Sequence, residues 1–205
     1  MSSEQPLKTT VPEASTPPSN NAEVKRVSHQ TVIEDGLAED DVPAVKRGLE
    51  LAESRKRKDA KLLSSTLAKC VTSGSLQVAQ YLLTEEQAPL SRVSPELLLQ
   101  CPVKAIPEIL GSLVDNGWDI NQNDEAAGGG VGRSTLKHLC NNEDMVRWCL
   151  DHDAKVEDVN IDPYYNPPLL ECVARNGTVA TFKLLQSHGV SYHSHPITSF
   201  IVTVA

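Results

Sequence analysis

An all-α fold, built as a helical solenoid of about four to five stacked helix pairs behind a disordered N-terminal arm, is predicted by three features of the chain. Short apolar-periodic runs come in pairs, each pair split by a tight turn marked with Gly, Asn or Asp. Equivalent positions return at a near-constant interval. Aromatic residues make up 4% of the chain against 40% hydrophobic, which favours small aliphatic packing over a ring-rich core.

Residues 1–28 are rich in Pro, Ser and Thr and nearly devoid of large apolar side chains, so they are expected to be a disordered arm. From Thr31 a weak helical face forms from Val32, Ile33 and Leu37; Asp41 then caps a second helix whose first turn tolerates Pro43. Glu53 to Lys61 reads as a charged connector. The next pair is clearer, with Leu67, Cys70 and Val71 on the first helix, Gly74 at the turn, and Ser75 as cap of a helix carrying Val78, Ala79, Leu82 and Leu83. A third pair runs through Leu98 and Cys101, opens its second helix at Pro107 without a polar cap, and ends at Asn116-Gly117. The fourth has Leu136, Leu139 and Cys140, then Asn142 as cap before Met145, Val146, Trp148 and Leu150, with a stop at His152-Asp153. In the fifth, Pro167-Pro168 leads into a stripe of Leu170, Val173 and Ala174. Asn176-Gly177 is expected to be a left-handed turn, Thr178 a cap, Phe182, Leu184 and Leu185 the buried side, and His188-Gly189 the stop.

The phase can be counted. Leu67 to Leu82, Leu98 to Leu113, Leu136 to Cys149 and Leu170 to Leu185 are steps of 15, 15, 13 and 15 residues, and the second-helix positions lie 31, 36 and 36 apart. The run Pro168-Leu-Leu-Glu-Cys-Val-Ala-Arg-Asn-Gly-Thr178 stands where the ankyrin family writes T-P-L-H-x-A-A-x-x-G-H, and Phe182 to Gly189 stands for its second-helix ending. Gly132 to Cys140 and Gly117-Trp-Asp-Ile-Asn121 are weaker copies. Residues 29–190 therefore resemble an ankyrin-repeat array, whose unit is ~33 residues; HEAT and armadillo units are longer at ~40–47, and the tetratricopeptide pattern is absent. Trp118 to Thr135 is longer than the connection that family uses. The resemblance implies a concave face and inter-repeat loops that bind another protein. On that basis Trp118, Asp119, Asn121, Asp124, Arg133, Lys137, Tyr164 and Tyr165 are the candidate partner-binding residues, Trp, Tyr and Arg being the side chains that most often dominate interfaces. Trp118 has a competing assignment, packing over the end of its own helix pair; Trp148 reads as core.

Charge and composition narrow the function. A net charge of -8 makes nucleic acid an improbable partner, and no run of apolar residues approaches the ~18–20 needed for a membrane span. Five cysteines and no secretory h-region point to a reducing compartment, cytoplasmic in the first instance. Four of them, Cys70, Cys101, Cys140 and Cys172, recur one per unit without any C-x₂₋₄-C pair, so they read as small core residues and no metal is expected. The Gly-rich run 128–132 has some features of a phosphate-binding loop, but it has Arg133 where that loop has Lys and no buried strand before it, so it reads as an inter-repeat loop. The histidines scatter along the array, with no nucleophile and acid converging on them. The chain is thus expected to be a non-catalytic scaffold or adaptor, with no cofactor and no small-molecule substrate. The alternative is a nuclear or chromatin-associated regulator using Arg55-Lys-Arg-Lys58; a nucleotide-binding enzyme comes last. After Gly189 the segment 191–205 reads as a short, poorly ordered tail ending in apolar Phe200 to Val204, which suggests a truncated or alternatively spliced array.

Overall fold

The computed structural model describes residues 28–125, 131–156 and 167–190. The expected N-terminal arm up to residue 27, the Gly-rich residues 126–130, Tyr164, Tyr165 and the tail 191–205 lie outside the described residues. Helix dominates the rest. The α-helices are α1 (His29–Ala38), α2 (Val42–Ser54), α3 (Ala60–Ser73), α4 (Leu76–Thr84), α5 (Ile106–Asp115), α6 (Thr135–His138), α7 (Glu143–Asp151), α8 (Leu169–Asn176) and α9 (Val179–Ser187). Three 3₁₀ turns, Leu90–Arg92, Pro95–Leu99 and Val103–Ala105, precede α5, and strands β1 (Asn123–Glu125) and β2 (Val131–Ser134) form one antiparallel hairpin. No helix among the described residues is long and apolar enough to cross a membrane.

Most helix ends follow from local chemistry. Asp41 accepts from Ala44 N at 3.1 Å, Asn142 from Met145 N at 3.3 Å and Thr178 from Thr181 N at 3.1 Å, as N-caps do. Gly74, Gly117, Gly189 and Asp153 adopt the left-handed backbone expected of helix stops. Ser75 departs from expectation, since its hydroxyl does not cap α4 but donates to Leu37 O at 2.7 Å. The α4 N-terminus is served instead by Asp40, whose carboxylate accepts from Gln77 N at 3.1 Å and Val78 N at 3.0 Å. Gly177 also differs: its φ is −97°, so it is not a left-handed turn. Glycine is required there by crowding, because a β-carbon would come within 2.7 Å of Val173 Cγ1 and 2.8 Å of Cys140 O. Along α8 the buried side is Leu169, Leu170, Cys172 and Val173, and Ala174 faces solvent.

The third unit diverges most. Its expected first helix is replaced by the 3₁₀ turns; Pro102, which lacks an N–H, allows no helix to run on from Leu98 into α5, while Pro95 and Pro107 lie in the first turns of their own elements. The first helix of the fourth unit is only Thr135–His138 and is buried along its whole length.

Packing runs from neighbour to neighbour. Second helices contact in the order α2, α4, α5, α7, α9; first elements contact in the order α1, α3, the Pro95–Leu99 turn, α6, α8. One continuous apolar core results, with Leu49, Leu67, Leu82, Leu98, Ile109, Leu110, Leu113, Leu136, Leu170 and Leu185 all fully buried. Polar links also join elements well apart in sequence. The Ser75–Leu37, Val78–Asp40, Lys69–Glu34, Gln80–Ser112, Asn121–Asp153 and Asn121–Lys155 links join residues 32 to 38 apart in sequence.

Candidate interaction surface

The third unit, where helix gives way to 3₁₀ turns, borders a groove of about 360 Å³. Its lining comes from Leu98 and Leu99, Cys101, Val103, Ile106, and across from them His138, Leu139, Asn141, Asn142, Glu143 and Met145. Leu98, Ile106, Leu139 and Met145 are buried and form an aliphatic floor. Leu99 and Val103 stand on the edge at 57% and 64% exposure, large for aliphatic side chains beside a core. Asn142 has its carbonyl committed to the α7 N-terminus, and Glu143 pairs with Arg147 at 3.0 Å. Asn141 is exposed on the polar rim.

The edge is held by the hairpin. Asp124 on β1 accepts from Glu96 N at 2.9 Å with one carboxylate oxygen and pairs with His138 Nε2 through the other. It thus ties β1 to the Pro95–Leu99 turn and to α6. Gly132 on β2 packs so closely against this strand that a β-carbon would lie 2.0 Å from Asp124 O. Behind the turn, Val93 O accepts from Trp118 Nε1 at 2.9 Å and from Gln122 Nε2 at 2.6 Å.

The eight residues expected to bind a partner are therefore used in different ways. Trp118 is 3% exposed and Lys137 is 5% exposed, so both belong to the interior and the expectation of accessible anchors fails for them. Trp118 packs in the apolar core, its indole N–H donating to Val93 O. Asp124 is committed to His138 and Glu96. Asn121 accepts from Lys155 N at 2.6 Å and donates to Asp153 O at 3.2 Å, bridging two turns. Asp119 and Arg133 are exposed; Tyr164 and Tyr165 fall outside the described residues. Trp148 is half-buried rather than core, stacked on His152 with centroids 3.7 Å apart. Leu99, Val103 and Asn141 were not anticipated. The signal for them is Leu97-Leu98-Leu99, three successive leucines that no single helical face can bury, followed by a proline.

Cys101 is the thiol in the groove lining, and burial pushes that thiol up to about 11, leaving little thiolate at neutral pH. Cys140 and Cys149 are raised by burial to about 11 and about 12, and all five cysteines are buried. Thr135 Oγ1 is buried without a hydrogen-bond partner among the described residues. Among those residues no cluster of three or more His, Cys, Asp or Glu has the geometry to hold a metal ion. Compared with known proteins, the chain matches no family model, no curated protein and no solved structure.

Proposed function

We propose that the chain is a non-catalytic protein-interaction module, an ankyrin-like solenoid whose third-unit groove takes an extended segment of a partner protein carrying two neighbouring apolar side chains. The observation that carries this reading is the exposure of Leu99 and Val103 at the edge of an aliphatic floor. Covering two such half-exposed side chains contributes about 1–2 kcal/mol each, enough to anchor a short segment whose backbone is oriented by Asn141 and Glu143 on the rim. The solenoid part of the reading is supported by neighbour-to-neighbour packing and by side-chain links that recur at one unit's spacing. A cytoplasmic setting fits five buried cysteines and an odd cysteine count.

Selection of random peptides against the immobilised protein tests this. Enriched peptides are expected to share a pair of aliphatic or aromatic residues and to lose at least about tenfold in affinity on Leu99→Asp/Val103→Asp, a double change at exposed sites that leaves the fold intact. Peptides that bind this variant as well as the parent would place the interaction elsewhere.

A further inference from the structure

Away from the groove, the turn between α2 and α3 concentrates positive charge, of which Lys58 alone is in an ion pair among the described residues. Residues 46–58 hold six Lys or Arg against two Glu, in a chain whose net charge is -8. The turn is closed by Arg55 N and Arg57 N donating to Ala52 O at 3.1 and 2.8 Å, and by Lys56 N donating to Glu53 O at 2.8 Å. This places Lys56 at φ 55°, the left-handed position after a helix where glycine is favoured. Asp40 occupies a similar conformation, and its carboxylate caps α4 in return. Lys56 makes no comparable contact. Lys58 tethers the turn to the end of α4 through Glu86 at 2.8 Å, with Glu53 at 3.6 Å on the other side, and Glu86 also accepts from Tyr81 OH at 2.5 Å. Arg55, Lys56 and Arg57 are exposed and form no ion pair among the described residues. A helix C-terminus accounts for one nearby cation and not for three on a fixed turn.

We infer that the Arg55–Arg57 turn is a docking element for an acidic segment of a partner protein, separate from the groove. Arg55, Lys56 and Arg57 present three exposed cations in succession, and each Arg can take a carboxylate through two parallel N–H donors. The held turn lowers the ordering cost of those contacts. A short acidic segment suits this place better than nucleic acid. It can stay within a Debye length of ~8 Å of the three cations, whereas a duplex carrying a charge every ~1.7 Å extends over a protein of net charge -8, the same sign as its own.

The test is fluorescence anisotropy of a labelled alternating Glu/Asp peptide with the full chain. The parent is expected to bind, more weakly as salt rises, and Arg55→Gln/Lys56→Gly/Arg57→Gln to lose about tenfold or more. Lys56→Gly alone relieves the left-handed backbone, so its urea midpoint stays level or rises while peptide affinity falls. Arg55→Gln/Arg57→Gln, which alters no strained residue, must weaken binding in the same direction. Leu99→Asp/Val103→Asp leaves this binding unchanged, so failure of the groove reading and failure of this one are separate results. Unaltered binding by the triple variant, no binding by the parent, or tighter binding of duplex DNA or phosphatidylserine vesicles than of the peptide overturns the inference.

Discussion

Replacing Trp118 by Ala separates a core role from an interface role by magnitude. The indole is 3% exposed, packed in the same cluster as Val93, Leu113 and Ile120, and its N–H reaches Val93 O at 2.9 Å. Truncating a fully buried Trp costs about 3–5 kcal/mol, a large share of the 5–15 kcal/mol that typically holds a domain together. Trp118→Phe divides that figure. It keeps most of the apolar ring and removes only the hydrogen bond, and Val93 O is not orphaned because Gln122 Nε2 still donates to it at 2.6 Å. That loss is expected to be about 1 kcal/mol, with a somewhat larger total from the missing ring volume. Urea unfolding followed by far-UV circular dichroism reads both variants, the midpoints falling in the order parent, Phe, Ala. If Trp118→Ala shifted stability by less than about 0.5 kcal/mol, the value of an ordinary surface change, the burial argument would be refuted and Trp118 would return to the list of surface anchors.

Two further outcomes follow from side chains with assigned work. Asp40→Ala removes the acceptor of Gln77 N and Val78 N and keeps a β-carbon in the left-handed region, so it is expected to destabilise by about 1–2 kcal/mol; Asp40→Gly loses the same cap but relieves the backbone, and should cost clearly less. Equal losses in the two variants, measured by thermal unfolding, would mean that the backbone conformation carries no strain. The buried thiols set an alkaline limit. Cys101 and Cys140 are raised from 9.0 to about 11 by burial, so above pH 9 the unfolded chain gives up protons that the folded chain retains. Their contribution is fully present below that pH and is lost as pH rises through about 11. Stability should therefore decline over that window, and a disulfide-exchange reagent at pH 8 should modify the native thiols slowly and all five cysteines at once in denaturant. Rapid native labelling of Cys101 would contradict its burial.

How much of this was legible depends on whether a position is governed by local or by long-range contacts. The caps Asp41, Asn142 and Thr178 and the stops Gly74, Gly117 and Gly189 act within a few residues, and the sequence displays them directly. The apolar phase placed Leu67, Leu82, Leu98, Leu113, Leu136 and Leu185 in the core, because burial at these sites follows from periodicity alone. Ser75 looked like a cap since its residue type is right, yet the α4 N-terminus found a stronger acceptor in Asp40, 38 residues back from Val78. A charged carboxylate outcompetes a hydroxyl there, and nothing local to Ser75 announces it. Trp118 and Lys137 were misplaced for a related reason. Side-chain chemistry suggests surface recognition, but the acceptor for Trp118 Nε1 is a carbonyl 25 residues away.

The third unit joins the two halves of the argument. Pro95, Pro102 and Pro107 were visible in the sequence, yet the helical phase of Leu98 and Cys101 concealed what they do. Pro102 lacks the donor that would carry a helix on past Cys101, and the short segment before it winds into 3₁₀ turns with Leu97 N bonded to Ser94 O and Cys101 N to Leu98 O. The tighter winding buries Leu98 and turns Leu99 out, where a regular α-helix would have offered its neighbours a continuous face. Both α3 and α6 contact the Pro95–Leu99 turn, so Leu98 stays in the continuous core although its segment is not an α-helix. The helical segments supply the core, and the 3₁₀ segment between α4 and α5 carries Leu99 and Val103 at the groove.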